Sequence, residues 1–364
     1  MPRILIGADC IPTESNLTAF INGDAETIVG KELKEIIDQA DFRIYNVETA
    51  IYDGNTPILK AGPNISAPTA TINGYKALKT DLACLANNHA YDHGEQGFIS
   101  TLNTFKNANI PTVGGGVNLE DAKKPFTFTL GNKKIGVYAC CEHEFSWAED
   151  YGSGANGFDP FESLDHVSEL KKQVDYLIVL YHGGKEHYVY PSPYLRKVCR
   201  KLIEKGGDIV LCQHTHCVGT EEDYKGGKIV YGQGNFVFAK QIVKVETWLT
   251  GLLVAIDFEK GGVNVSYIPF ETTPTGIKLS NDKIILENFN RRSSEIMKEG
   301  FIEKKFSEFA DENYKWYMGV VAKASAPEKA GVTVGNFIEC EAHREVILKG
   351  IKNATDRGET GSLG

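Results

Sequence analysis

Apolar segments of strand character alternate with amphipathic helical segments over the first two thirds of the chain, and this alternation constrains the fold most strongly. Helical periodicity is clear over residues 29–40, 94–108 and 193–206. Strands that are apolar on both sides belong to a sheet that helices cover on both faces. The strand candidates are RILIGAD, DFRIYNV, LACLA, KIGVYACC, YLIVLY and DIVLC. The pattern therefore predicts an α/β domain.

The pattern changes twice further along the chain. GGKIVYGQGNFVF and TGLLVAIDFEKGGVNVSYIPF are consecutive strand candidates with glycine-rich turns. Beyond residue 271 the remaining segments are amphipathic and helical. We predict a domain over residues 1–271, with helices on both outer faces, followed by a helical C-terminal extension over residues 272–364.

Composition disfavours several classes of protein. The net charge of −9 disfavours a nucleic-acid partner and binding to an anionic membrane surface. We find neither a signal peptide nor an apolar run near the roughly 20 residues that span a bilayer. The 8 cysteines contain no C-x-x-C pair, which is typical of reduced thiols. We expect a cytoplasmic protein without membrane insertion, and its oligomeric state is left open.

Polar side chains follow five of the apolar strands, at the point where each strand ends. In sheets of this kind, ligands bind beyond the carboxyl ends of the parallel strands. We therefore expect these side chains to converge in space. They are Asp9, Glu48, Asn88 with its neighbour His89, His182, His214 and His216.

The donor types in this set indicate a metal centre. Carboxylates, a neutral amide and imidazoles together suit manganese, zinc or iron(II) better than calcium or magnesium. Six candidate ligands exceed one tetrahedral site, whereas a bridging carboxylate could hold two ions about 3.5–4 Å apart. We predict one or two divalent metal ions, bound by Asp9, Glu48, Asn88, His182, His214 and His216.

Several motifs make a family resemblance recognisable. They occur in family order over residues 3 to about 240, and they read ADCIPT, NVET, KAGPN, LANNHAYDHGEQGF, YHGGKEHYVYPSP and CQHTHCVGTEEDYKGGKIVYGQGNFVF. The chain resembles the CapA family of poly-γ-glutamate capsule biosynthesis proteins, within the calcineurin-like metallophosphoesterase superfamily. The resemblance implies a four-layer αββα sandwich.

The resemblance also implies a role for each strand-end residue. Asp9 and His216 resemble ligands of a first metal, and His182 and His214 those of a second. Glu48 resembles the bridging or nearby carboxylate, Asn88 the amide ligand and His89 its catalytic partner. Classical members carry a histidine where this chain has Ile11 and a glycine where it has Ala8. The missing histidine implies that one site binds its metal more weakly.

Three further residues are candidates with an alternative reading. Asp92 is predicted to accept a hydrogen bond from His89 and raise the imidazole pKa, or else to cap the helix that begins near Gly94. Lys60 in KAGPN is a candidate for binding a substrate anion, or a solvated lysine. Glu186 is a candidate for contacting substrate or orienting a ligand.

Two functions from different classes are consistent with this reading. The first is a hydrolase in which a metal-bound hydroxide attacks a phosphoester, or the amide of a γ-linked glutamate polymer. The second is a non-catalytic binding or assembly component for poly-γ-glutamate synthesis or export. The partner is a small molecule or an anionic polymer in either case. The retained ligand set favours the hydrolase.

Overall fold

The computed structural model describes residues 1–239, 246–324 and 329–358. Its strands, in chain order, are β1 Arg3–Asp9, β2 Phe42–Asn46, β3 Ala50–Ile51, β4 Ser66–Ala67, β5 Leu82–Cys84, β6 Thr112–Val113, β7 Gly115–Gly116, β8 Phe126–Leu130, β9 Lys133–Cys141, β10 Gly154–Ala155, β11 Tyr176–His182, β12 Ile209–Gln213, β13 Glu221–Tyr224, β14 Gly227–Val230, β15 Thr250–Glu259, β16 Gly262–Thr273 and β17 Gly276–Leu279.

The helices lie between these strands and after the last of them. They are α1 Leu17–Asn22, α2 Ala25–Val29, α3 Lys31–Gln39, α4 Ile72–Ala77, α5 Gly94–Asn107, α6 Leu119–Ala122, α7 Glu162–Lys171, α8 Pro193–Glu204, α9 Lys283–Ile296, α10 Phe301–Lys323, α11 Lys329–Glu339 and α12 Glu341–Asp356. Among the described residues, no helix combines the length and apolar character needed to cross a membrane.

Two main sheets carry the fold. The first has seven strands in the order β17-β16-β15-β1-β2-β5-β6, and the second has six in the order β13-β14-β12-β11-β9-β8. β1, β2, β5 and β6 run parallel, as do β9, β11, β12 and β14. The parallel strands of each sheet therefore end at a common edge.

Alternate side chains along each central strand enter different cores, as the two-residue period of a strand requires. In β1, Ile4 and Ile6 enter the core between the sheets, whereas Leu5 packs against the first helical layer. In β11, Leu180 enters the shared core, whereas Val179 packs with α7 and α8. Two sheets between two helical layers make the predicted four-layer αββα sandwich, so the predicted fold class is confirmed.

The structure corrects two details of the predicted elements. The helix predicted over residues 29–40 begins only at Lys31, because Gly30 has a φ of +70° and separates α3 from α2, which ends at Val29. The segment GQGNFVF is not a strand. Beyond Val230 it forms only isolated bridges, one between Val218 and Gln233 and one between Cys10 and Val237. This buried loop lies beside β1 at the edge where the parallel strands end.

The C-terminal helices form a packed group of their own. Tyr188 from the body packs with Phe306, Tyr317, Phe337 and Val346 of these helices. β16 continues through Thr273, and β17 and α9 follow it, so the chain near residue 271 still belongs to the first sheet. The division at residue 271 remains a prediction, and residues 325–328 and 359–364 of the extension lie outside the described residues.

Gly114 lies where a side chain has no room. It has a φ of +74°, and a Cβ there would lie 2.7 Å from that of Ala86 and 2.8 Å from that of Ala139. We expect Gly114→Ala to lower the free energy of unfolding by about 2–5 kcal/mol, the sum of left-handed backbone strain and overpacking. Gly226→Ala is the control. Gly226 has a φ of +86°, but a Cβ there would have no described atom within 4 Å.

Gly226→Ala should lower the free energy of unfolding by the backbone strain alone, about 1–2 kcal/mol. Urea unfolding of both variants measures the difference. Equal losses would show that the space around Gly114 does not limit the side chain.

Candidate metal centre

The carboxyl ends of the parallel strands from both sheets meet at one place, and the six predicted ligands lie there. Nδ1 of His216 lies 3.5 Å from Oδ2 of Asp9. Nε2 of His182 lies 3.4 Å from Oε1 of Glu48 and 2.9 Å from Oδ1 of Asn88. The structure therefore brings residues from β1, β2, β5, β11 and β12, or from the turns after them, into one buried cluster.

Two groups of donor atoms can be distinguished in this cluster, and they share one carboxylate. Asp9, Glu48 and His216 have donor atoms within 4.8 Å of one another, and so do Glu48, His182 and His214. The grouping agrees with the one that the resemblance implies. Asn88 adjoins the second group through His182.

The donor set fits divalent metal ions. Both carboxylate oxygens of Glu48 are buried without a hydrogen-bond partner among the described residues, as are Oδ2 of Asp9 and Nδ1 of His214. A buried carboxylate without partners costs several kcal/mol unless a cation is present. These orphaned atoms are therefore the expected consequence of a site built around cations.

The pKa values of the groups reflect the burial and the mutual contacts. Burial and the Asp9 carboxylate raise the pKa of Glu48 well above its usual value. Burial lowers the pKa of His182 to about 4 and that of His214 to about 3. Both imidazoles are therefore neutral near pH 7, which is the form that binds metal.

Asp9 and His216 form an ion pair. Burial raises the pKa of Asp9, but the contacts with His216 and His182 outweigh it and lower the pKa to about 2. Burial lowers the pKa of His216, but the contact with Asp9 and the charge of Glu48 raise it to about 9. A bound cation would replace the proton of His216.

Buried amides hold the candidate ligands in place. Nδ2 of Asn46 donates to Oδ1 of Asp9 at 2.9 Å, and Nδ2 of Asn87 donates to Oδ1 of Asn46 at 2.9 Å. Oδ1 of Asn235 lies 2.7 Å from Nδ1 of His216. His214 and His216 have φ values of +89° and +56°, a strained conformation of the kind that clusters at functional sites.

His89, Asp92 and Lys60 form a second buried group beside the ligands. Oδ2 of Asp92 lies 2.6 Å from Nδ1 of His89, and Oδ1 accepts from Nζ of Lys60 at 2.5 Å. Nζ of Lys60 also donates to the backbone oxygen of Asn88 at 3.3 Å. Asp92 thus orients His89 and does not cap α5, whose N-cap is His93. Lys60 is only 4% exposed, which excludes the solvated-lysine reading.

Asp92 raises the pKa of His89 as predicted, but two other effects outweigh it. Burial lowers the pKa of His89 and the Lys60 ammonium lowers it further, and together they outweigh Asp92. The net pKa is therefore lowered, not raised as the Asp92 contact alone predicts. Burial is the largest cause of the lowered pKa and the charge of Lys60 is the next, and the sequence reveals neither.

Glu186, the remaining candidate, lies at the rim of the cluster. Oε1 of Glu186 lies 3.9 Å from Nε2 of His216, and its side chain is 39% exposed. His187 is exposed, and its ring centroid lies 5.9 Å from that of His216. Ile11, where classical members have a histidine, is fully buried and packs with Phe238 and Trp248. Ile11 is therefore a packing residue.

Two glutamates after β9 belong to the site more closely than the sequence indicated. Glu142 and Glu144 line a small recess together with Asn88, His182, Gly183 and His214. Glu341 from α12 reaches the same edge, where its Oε1 lies 2.7 Å from Nδ1 of His143. The motif CCEHEF gave a weak signal for the two glutamates. No local pattern indicated that the C-terminal helices contribute.

The buried Lys60–Asp92 pair gives a stability prediction. Removing one partner of a buried pair leaves an uncompensated charge and costs about 3–5 kcal/mol. We expect Lys60→Met to lower the free energy of unfolding by this amount. The control is Lys172→Met. Lys172 pairs with Glu169 at 2.5 Å, but the two side chains are 64% and 66% exposed.

The exposed pair should contribute at most about 1 kcal/mol. Denaturant unfolding of both variants gives the comparison. A loss below about 1 kcal/mol for Lys60→Met would mean that water reaches Asp92.

Comparison with known proteins gives a consistent relationship. Residues 7–240 match the family described as "Bacterial capsule synthesis protein PGA_cap". The chain is similar to "PGA biosynthesis protein CapA" of Bacillus subtilis (strain 168), with 33% identity over 196 residues that cover 53% of this chain and 50% of the relative. It is also similar to "Capsule biosynthesis protein CapA" of Bacillus anthracis, with 28% identity over 247 residues that cover 61% of this chain and 60% of the relative.

The chain thus spans between 50% and 60% of the length of these two relatives. A solved structure described as a novel phosphatase from Mycoplasma pneumoniae is similar with a TM-score of 0.44 and 15% identity, over 75% of this chain and 95% of that one.

The family match spans well over half of the chain, from β1 to the loop after β14, and it includes all six candidate ligands. The resemblance seen in the motifs is therefore confirmed, and the chain belongs to the PGA_cap family of bacterial capsule synthesis proteins, the CapA family.

Proposed function

We propose that this chain is a metal-dependent hydrolase linked to capsule or poly-γ-glutamate metabolism. Its substrate is a phosphoester or a γ-glutamyl amide. The observation that carries the proposal is Glu48, which is fully buried, belongs to both donor groups and has no hydrogen-bond partner for either oxygen among the described residues. A binding module would have no need for so costly a group.

Asp9 and His216 would hold one ion, His182, His214 and Asn88 the other, and Glu48 both. Divalent ions bound there would polarise the scissile phosphoryl or carbonyl group and lower the pKa of a water molecule. Asn88 is a neutral ligand, so it adds no negative charge to the centre and keeps the ions strongly Lewis acidic. The donors suit manganese, zinc or iron(II).

His89 would act on the leaving group. Asp92 engages its Nδ1, which leaves Nε2 for the substrate. Because burial and Lys60 lower the pKa of the imidazole, the protonated ring is a strong proton donor when it forms. Lys60 and Glu186 are proposed to contact the substrate, Lys60 through its positive charge beside His89 and Glu186 from the rim.

The proposal is tested by turnover on two substrate classes. Protein freed of metal with a chelator is assayed before and after reloading with Mn²⁺ or Zn²⁺, on p-nitrophenyl phosphoesters and on γ-linked polyglutamate. Release of p-nitrophenolate or of new α-amino groups is the readout. We expect turnover of one class only after reloading.

Absence of turnover on both classes by fully loaded protein would contradict the proposal. If such protein still bound γ-linked polyglutamate, it would be a non-catalytic binding or assembly component. The metal content of the assayed protein is measured. A loaded protein without turnover can therefore be distinguished from a protein that fails to bind metal.

The roles proposed for the histidines give a direct comparison. We expect His214→Ala to weaken metal binding by at least about 10–100-fold, the loss that even an outer-shell partner can cause. His187→Ala is the matched control, because His187, like His214, lies beyond a strand end and has a positive φ, here 60°, but belongs to neither donor group. Competition with a chelator measures both affinities. Equal affinities would reject His214 as a ligand.

A further inference from the structure

The C-terminal helices bring a third set of donors next to the metal centre. Cys340 is the N-cap of α12 and His343 lies in the first turn of that helix. Both face Glu144, which follows β9. The three donor atoms lie within 4.8 Å of one another, and Oε1 of Glu144 lies 3.4 Å from Nε2 of His343. Cys340 and Glu144 are buried, at 1% and 8% exposure.

Neighbouring groups orient these donors toward a common point. The hydroxyl of Tyr317 lies 2.6 Å from Nδ1 of His343, which leaves Nε2 directed at Glu144. Metal-binding histidines typically use their second ring nitrogen in this way. Nδ2 of Asn336 lies 3.4 Å from Oε1 of Glu144. Tyr317 and Asn336 therefore hold two of the three donor side chains in place.

The Glu144 carboxylate connects this set with the centre described above. Its Oε2 lies 3.8 Å from Nε2 of His214, whereas its Oε1 faces His343. Among the described residues, its ion-pair partners are these two histidines. A buried carboxylate and a buried thiol thus lie together, and among the described residues no lysine or arginine forms an ion pair with Glu144, although the charge of Lys185 also acts on it.

We propose that Glu144, Cys340 and His343 bind a third divalent cation, of the zinc class. Sulfur, imidazole nitrogen and carboxylate oxygen are the three ligand types of protein zinc sites. Three protein ligands leave a fourth position for water or substrate. The thiolate selects zinc over manganese, because soft sulfur ligands are disfavoured by the harder ion.

This third site would fasten the C-terminal helices to the centre. The family match ends at residue 240, and the donors of the other two groups all lie within it. Cys340 and His343 lie beyond it, in the C-terminal helices. α12 would then be held over the recess between Asn88 and His214 by a metal bridge as well as by packing. The proposal stands whether or not the protein is a hydrolase.

Cobalt(II) provides a spectroscopic test, because only the third group contains a cysteine. Metal-free full-length protein is titrated with Co²⁺, and we expect a near-ultraviolet thiolate-to-cobalt charge-transfer band. Cys340→Ser should abolish the band and lower the zinc content by about one ion per chain. His343→Ala should weaken the binding that produces the band.

Cys217→Ser is the control, because Cys217 is buried near His216 but belongs to none of the donor groups. It should leave the band and the zinc content unchanged. Circular dichroism establishes that each variant is folded. Absence of the band in the wild-type protein at saturating Co²⁺, its persistence in Cys340→Ser, or its loss in Cys217→Ser would each overturn the proposal.

Discussion

Replacing His89 with asparagine is expected to lower the turnover number by about 10²–10⁴-fold, the usual contribution of a general acid or base. The metal content should not change, because His89 belongs to neither donor group of the centre. Its Nδ1 is engaged by Asp92 at 2.6 Å. Asparagine keeps a polar group at the position but cannot transfer the proton. Parallel measurements of turnover and of bound metal test this expectation.

Asn88→Ala is the matched comparison for the adjacent residue. Oδ1 of Asn88 lies 2.9 Å from Nε2 of His182, and His182 belongs to the second donor group. This variant should lose metal as well as turnover, and turnover should partly recover at high metal concentration. If His89→Asn emptied a metal site while Asn88→Ala left both sites filled, the two roles would be reversed.

Replacing Glu48 with glutamine is expected to weaken the binding of both ions of the centre. Glu48 is the one residue that the two donor groups share, so a single neutral substitution removes a ligand from each. Each bound ion would supply several kcal/mol of charge stabilisation, so turnover should fall by about 10²-fold or more. Equilibrium dialysis with Mn²⁺ measures the occupancy.

The control is Glu142→Gln. Glu142 is also a buried carboxylate at the same edge, but it belongs to neither group of the centre. We expect this variant to bind Mn²⁺ as the wild type does. Loss of only one ion in Glu48→Gln would show that the carboxylate binds at one side and does not bridge.

The convergence of the six candidate ligands could be predicted because the signal is local. Each candidate is the last residue of an apolar strand or follows it within a few residues, and parallel strands place such ends at one edge of a sheet. Asp9 and His182, for example, are the last residues of β1 and β11. The chemical type of each side chain then indicates a metal centre without knowledge of the distances.

Other features could not be predicted because they depend on contacts between distant segments. Lys60 lies in a loop, and only the tertiary structure buries it against Asp92. The segment GQGNFVF has the composition of a strand, yet Gly234 takes a φ of +74° and the chain forms a buried loop instead. Glu144 and His343 are 199 positions apart in the sequence, and no periodicity relates them.

The position of bound ions is the most direct test of the account. Crystals of the wild-type protein grown with saturating Mn²⁺ would give anomalous peaks at each site. We expect two peaks about 3.5–4 Å apart on either side of the Glu48 carboxylate, one beside Asp9 and His216 and the other beside His182 and His214. No peak at this position, or peaks that do not adjoin Glu48, would contradict the account.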